Sequence, residues 1–256
     1  MLEKPDLPEA QIIACLHAAF GLCVKQLIFL PLGADVNAAV YRLQAEPGQA
    51  YFVKLKRGAF AEIGVTLPDF LHAQGIPQII APRRTLDGQL WAGLADYRVI
   101  VYPFVQGRNG FEVVLSPRQW ADFGAALKRI HTLQLPAGLA RAIPRETYSP
   151  QFREQVKGFL ARAKVDPFID PVALKVAQLL RDHEVVIRDL ILRAENLAGK
   201  LQSRPLDFVL CHADAHAGNI LVDDHGALYI VDWDNPILAP KERDLMFIGG
   251  AQGFRG

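Results

Sequence analysis

Between Phe208 and Asp234 the chain reads FVLCHADAHAGNILVDDHGALYIVDWD. Apolar runs at 208–210, 220–222 and 228–231 enclose a polar loop carrying His212, Asp214, His216 and Asn219, and the third run ends in Asp232 and Asp234. Short β-rich runs parted by Asp-Asp-His-Gly predict a hairpin. An antiparallel hairpin sets Asn219 beside Asp232, so two carboxylates and one amide converge at a sheet edge. That combination can move a phosphoryl group from a nucleoside triphosphate to a hydroxyl. The reaction needs one carboxylate to orient the hydroxyl and accept its proton, and hard oxygen ligands to hold Mg²⁺ against the phosphates.

The spacing His-x-Asp-x-x-x-x-Asn is that of a kinase catalytic loop, with the later Asp at the place of the kinase metal ligand. On the stretches HADAHAGN and DWD, and on YFVKLKRG at Tyr51 and DWDNPILAPKERDLMFIGG at Asp232, the chain resembles the aminoglycoside phosphotransferase family. The resemblance implies an α+β, two-lobed, protein-kinase-like fold. A small β-rich lobe spans residues 1–104, and a mainly helical catalytic and substrate lobe spans 105–256. It implies ATP and Mg²⁺ as cofactors, Asp214 as the catalytic base, and Asn219 and Asp232 as metal ligands. It implies Lys54 as the phosphate-binding lysine, paired with Glu62, Gly33 in the loop over the triphosphate, and backbone contacts to the base from Pro103 and Val105. His212 braces the loop in such enzymes. The acceptor implied is spectinomycin or a related aminocyclitol or aminoglycoside antibiotic. Relatives acting on choline, homoserine or methylthioribose share the loop. Family members continue past the point where this sequence stops, so the second lobe is expected to be incomplete, leaving either a working enzyme or a non-catalytic nucleotide-binding protein.

The elements that must position these residues are legible along the chain. Residues 8–20 carry an amphipathic helix stopped by Gly21. Strands are expected over 25–30 and 38–43, joined by PLGADVN, with Gly33 as the loop's one glycine. In AYFVKLKRG, Tyr51, Val53 and Leu55 alternate with Lys54 and Lys56, which puts both lysines on one strand face. The residues alone leave open which of them meets phosphate. The helix that should supply Glu62 contains Gly64 and Pro68, so a bend or two short pieces is expected. A second hairpin is predicted over 89–93 and 97–104, leading into the link between lobes.

In the second lobe, Ser116, Pro117 and Gln119 make a capping box opening a helix with Trp120, Phe123, Leu127 and Ile130 on its apolar face. Further helices are expected over 150–163 and, as one long element, 171–201. The gap 138–149 reads as a loop that could face the acceptor. His131 reads as a packing or capping residue. His216 is either a solvated loop residue or a contact to substrate or metal-bound water. Asp234 is a second cleft carboxylate, touching Mg²⁺ indirectly or an acceptor amino group. Asp244, in KERDLMF, reads as an anchor for the catalytic loop.

Composition narrows the remaining classes. Of 256 residues 51% are hydrophobic, enough for a sizeable core. The formal charge of +1 comes with no basic run, so a nucleic-acid partner has no electrostatic support. No membrane span or secretion signal is expected, and Cys15, Cys23 and Cys211 read as reduced thiols. A cytoplasmic protein acting on a small molecule is the expectation.

Overall fold

A computed structural model describes residues 3–33 and 35–248. They form two compact units: residues up to Pro144 together with those from Val209 onward, and Arg145–Phe208.

The first unit opens with α1 (Glu9–Phe20), which ends on Gly21 in the left-handed conformation at φ 65°. A five-stranded antiparallel sheet follows, made of β1 (Val24–Leu30), β2 (Ala38–Ala45), β3 (Ala50–Arg57), β4 (Ala92–Leu94) and β5 (Tyr97–Pro103). Its spatial order is β1-β2-β3-β5-β4. Ile12, Leu16 and Phe20 of α1 pack on Tyr41, Leu43, Val53, Leu55, Val99 and Val101, all buried. Alternation along β3 turns Tyr51, Val53 and Leu55 into that core and therefore sends Lys54 and Lys56 to the opposite face.

Between β3 and β4 lies α2 (Ile63–Ala73), one continuous helix through Pro68 and not two short pieces. The proline removes one donor, to the carbonyl four residues back. That residue is Gly64, where an added Cβ would sit 3.3 Å from the Asp234 Cα and 3.4 Å from the Trp233 carbonyl oxygen. The helix thus runs close against the segment carrying the paired acids.

After β6 (Gly107–Asn109) comes α3 (Pro117–Thr132), with the predicted capping box formed between Ser116 and Gln119. The gap read as loop holds a short helix, α4 (Ala137–Ala142). Its AGLARA sequence is rich in good helix formers, and prolines at 136 and 144 bound it.

The second unit contains α5 (Gln151–Val165), α6 (Pro171–Asp182) and α7 (Glu184–Gln202). The single helix expected over 171–201 is two, parted at His183, whose φ of −108° and ψ of 12° leave the helical region. One continuous helix would be roughly 45 Å long; the break lets both pieces pack on α5.

The first unit resumes with β7 (Val209–Cys211), β8 (Ile220–Asp223), β9 (Leu228–Ile230) and β10 (Ile237–Ala239). β10 pairs with β7, and β6, β8 and β9 form a small sheet in that order. No helix among the described residues is long and apolar enough to cross a membrane. The chain's last residues, on which the expectation of an incomplete lobe rested, lie outside the described residues.

Candidate active site

The hairpin forms as its sequence requires. Asp223 Oδ1 accepts the backbone N–H groups of His225 at 2.9 Å and Ala227 at 2.8 Å, and Gly226 takes the left-handed φ of 85° that the turn needs. At the other end the Val231 N–H donates to the Asn219 carbonyl at 2.9 Å, so the residues that follow β9 leave the hairpin beside Asn219.

The loop before β8 is fixed by two buried side chains, Asp244 and His212. Asp244, fully buried, accepts from the Ala213 N–H at 2.7 Å and the His212 N–H at 3.2 Å. Its Oδ2 also lies 2.8 Å from His131 Nε2. It anchors the loop, as expected. His212 Nδ1 accepts the Asp214 N–H at 3.3 Å, so Nε2 carries the proton and donates to the Val231 carbonyl at 2.9 Å. Burial pushes this imidazole below its ordinary pKa, in keeping with a neutral bracing role. Cys211, beside it, is a packing residue whose thiol burial pushes up to about 12. Ala213 and Asp232 both hold the left-handed conformation, at φ 69° and 65°, a conformation that costs non-glycine residues free energy and concentrates at functional sites.

With its backbone held, Asp214 presents a carboxylate at the loop's crest. Asn219 Nδ2 donates to the Asp214 carbonyl at 2.8 Å and lies 3.4 Å from Asp214 Oδ2. The amide oxygen of Asn219 is thereby the atom left for a cation. Trp233 is buried, its ring edge-on to His212 at 4.5 Å and its Nε1–H donating to the Ile230 carbonyl at 3.1 Å. Burying Trp233 turns the flanking Asp232 and Asp234 outward. A half-exposed Asp232 carboxylate and a free Asn219 oxygen make a hard-oxygen set that fits Mg²⁺.

Lys54 reaches this set from β3. Its Nζ lies 3.0 Å from Asp232 Oδ1 and 2.8 Å from Asp234 Oδ1. Lys56 reaches Asp234 Oδ2 at 2.7 Å and Asp35 Oδ2 at 2.5 Å. Burial works to raise the Asp234 carboxyl, but the two ammonium groups outweigh it and hold it below the usual carboxylate range. Burial likewise opposes the charge on Lys56, and its two acidic partners raise it regardless.

The expected Lys54–Glu62 pair is not formed. Glu62 is the exposed residue preceding α2, and its carbonyl accepts from the Val65 and Thr66 N–H groups at 3.0 and 2.9 Å. Asp232 and Asp234 take the lysine instead, because the close passage of Gly64 brings their segment up under β3. Sequence reasoning missed the Asp35–Lys56–Asp234–Lys54 chain. The i, i+2 lysines and the D-x-D pair were both visible, but neither says which charge meets which.

Gly33, exposed at φ 86°, lies in the β1–β2 connection near Asp35. At the far side of the sheet, the Phe104 N–H donates to the Ala50 carbonyl at 3.1 Å. That makes 104 and 50 a hydrogen-bonded pair, so the alternation of the ladder turns the Pro103 carbonyl away from β3. One step back, the Val101 carbonyl points the same way and takes the Arg83 N–H at 2.7 Å. Val105 follows with its N–H without a backbone partner among the described residues.

Comparison with known proteins agrees with this arrangement. Residues 28–246 match the family model described as the phosphotransferase enzyme family, APH. Spectinomycin phosphotransferase APH(9)-Ia, solved with ADP and spectinomycin, is 37% identical, with a TM-score of 0.91 over 98% of this chain and 76% of that one. Amicoumacin kinase, solved with AMP-PNP, Ca²⁺ and amicoumacin, shares the fold at 20% identity and a TM-score of 0.61, over 93% of this chain and 67% of the other. Protein StrN of Streptomyces griseus is 25% identical over 181 residues, which is 68% of this chain and 55% of that protein's length. The fold is protein-kinase-like, and the chain belongs to the phosphotransferase enzyme family.

Proposed function

We propose that the protein transfers the γ-phosphoryl group of ATP to a hydroxyl of spectinomycin or a related aminocyclitol, in the cytoplasm, as an antibiotic-modifying enzyme. One observation carries the chemistry: Lys54 of the sheet and Asp232 of the hairpin, 178 positions apart, meet at 3.0 Å. A cation suited to phosphate and an acid suited to the metal thus share one site, and Asn219 links it to Asp214. The acceptor rests on the 37% identity to spectinomycin phosphotransferase.

In this reading residues 1–104 hold the nucleotide and residues 105–256 supply the catalytic groups and the acceptor site. Asp214 orients the acceptor hydroxyl and takes its proton as the new P–O bond forms. Lys54 exchanges Asp232 for nucleotide phosphate oxygens, a change from one ion pair to another, while Asp234 keeps hold of it. Asn219 and Asp232 hold Mg²⁺, which when bound neutralises charge on the phosphates. The Pro103 carbonyl and the Val105 N–H face the adenine base, and the Gly33 loop lies over the phosphates. A cationic aminocyclitol suits a cleft whose surplus charge is acidic.

The test is ATP consumption by the purified protein with Mg²⁺, with and without spectinomycin, beside an Asp214→Ala control. Spectinomycin-dependent turnover absent from the control is expected. Turnover with another small alcohol but not spectinomycin would replace the acceptor. Neither turnover nor a rise in melting temperature with Mg·ATP would sink the reading.

A further inference from the structure

His216 is the one polar side chain of the catalytic loop without a part in the scheme above. We infer that it is a positioning residue: its Nε2–H orients the carboxylate of Asp214. The inference rests on the reading of Asp214 as the group that meets the acceptor.

One backbone bond and three ring contacts fix the side chain. The His216 N–H donates to the Asp214 carbonyl at 2.8 Å. His216 Nδ1 accepts the Gly218 N–H at 2.9 Å. One face stacks on Phe111, centroids 5.8 Å apart and planes at 25°, and Phe247 meets the ring edgewise at 5.8 Å. Because the Gly218 N–H is a donor, Nδ1 must be the acceptor, and the neutral ring carries its hydrogen on Nε2. That nitrogen lies 3.8 Å from Asp214 Oδ2. A solvated loop histidine would have neither its tautomer nor its plane determined. Gly218 reinforces the placement, since an added Cβ there would fall 2.7 Å from the His216 ring.

The consequence is a division of labour between the two oxygens of Asp214. Oδ2 is approached by Asn219 Nδ2 at 3.4 Å and His216 Nε2 at 3.8 Å. Oδ1 has no donor among the described residues and is the oxygen free to take the acceptor's proton. The Asn219 contact is a long hydrogen bond and the His216 approach is longer than a formed one, as befits a catalytic carboxylate before its substrates arrive; such contacts tighten in the reacting complex. Two donors on one oxygen hold the carboxylate plane, and a misplacement of about 1 Å costs about a hundredfold in rate.

Two substitutions separate this from a role in loop structure. His216→Asn keeps an acceptor near Nδ1 for the Gly218 N–H but has no donor near Nε2. His216→Gln reaches the Nε2 position with an N–H and loses the cap. With ATP, Mg²⁺ and spectinomycin, kcat is expected to fall roughly ten- to a hundredfold in His216→Asn, with the nucleotide KM and melting temperature unchanged. His216→Gln should recover most of kcat. Equal kcat in His216→Asn and wild type, or Gln worse than Asn, overturns the inference while leaving Asp214 as the base. Wild type inactive with every acceptor is instead a failure of the functional reading. The inference then stands or falls on long-range ¹H–¹⁵N spectra of His216: a proton on Nε2 supports it and one on Nδ1 overturns it.

Discussion

Replacing Asp244 should cost more than replacing any residue in the cleft, although it touches no substrate. Its carboxylate is fully buried and takes the Ala213 N–H at 2.7 Å, the His212 N–H at 3.2 Å and His131 Nε2 at 2.8 Å. In Asp244→Ala, two backbone donors in a dry loop lose their acceptor, at about 1–3 kcal/mol each, and His131 loses its partner. The sum is about 3–5 kcal/mol, the range for breaking a buried polar pair by removing one side. That is a large part of a domain's total stability of about 5–15 kcal/mol. Asp244→Asn should fall between, because its amide N–H₂ must face either the Ala213 or the His212 N–H. Urea unfolding followed by tryptophan fluorescence measures this. Trp91, Trp120 and Trp233 all belong to the unit holding the site, so the signal reports that unit alone. The midpoint should fall with an unchanged slope. A loss under about 1 kcal/mol for the alanine variant would refute the view that Asp244 is what holds the loop.

Other expectations can be checked with the same protein. Ala213→Gly should leave stability unchanged or raise it by up to about 1 kcal/mol, since glycine meets no penalty at φ 69° while its greater freedom when unfolded offsets part of that gain; clear destabilisation in the same urea series would count against the strain. Asp234→Asn should raise the nucleotide KM roughly tenfold, one charge-assisted hydrogen bond's worth, whereas Glu62→Gln should leave it within about twofold. The opposite order in steady-state kinetics would restore Glu62 as the partner of Lys54. Because burial lowers the pKa of His212 in the folded protein from 6.5, the unfolded chain binds more protons in mild acid. The stability tied to this residue is therefore complete above pH 6.5 and lost as pH falls below it toward the folded value. Melting temperature should drop between about pH 7 and 5, and the drop should be shallower in His212→Gln.

What was legible in the sequence was local. The hairpin, with Asp223 bonding His225 and Ala227, and the spacing within the loop, with His216 bonding Gly218 and Asn219 bonding Asp214, rest on hydrogen bonds that close among near neighbours. The capping box of α3 and the Gly21 stop of α1 are of the same kind, fixed by spacing along one element. Even Asp244 was readable as an anchor, since an acid placed after the D-x-D segment has the loop within reach. The paired helices α6 and α7 were not legible, because the apolar pattern runs straight through His183 and the packing of both on α5 parts them.

The amino-acid order by itself determined which groups could do phosphoryl chemistry and how far apart they stand within the loop and hairpin. Only the tertiary structure decided who meets whom. Lys54 turned to Asp232 and Asp234, 178 and 180 positions away, and not to Glu62, eight positions on. Lys56 became the bridge from Asp234 to Asp35. The reason is physical: periodicity says which face of a strand a lysine occupies. The charge it meets depends on how closely a second backbone can approach, and here that was settled by the bare Cα of Gly64 against Trp233 and Asp234.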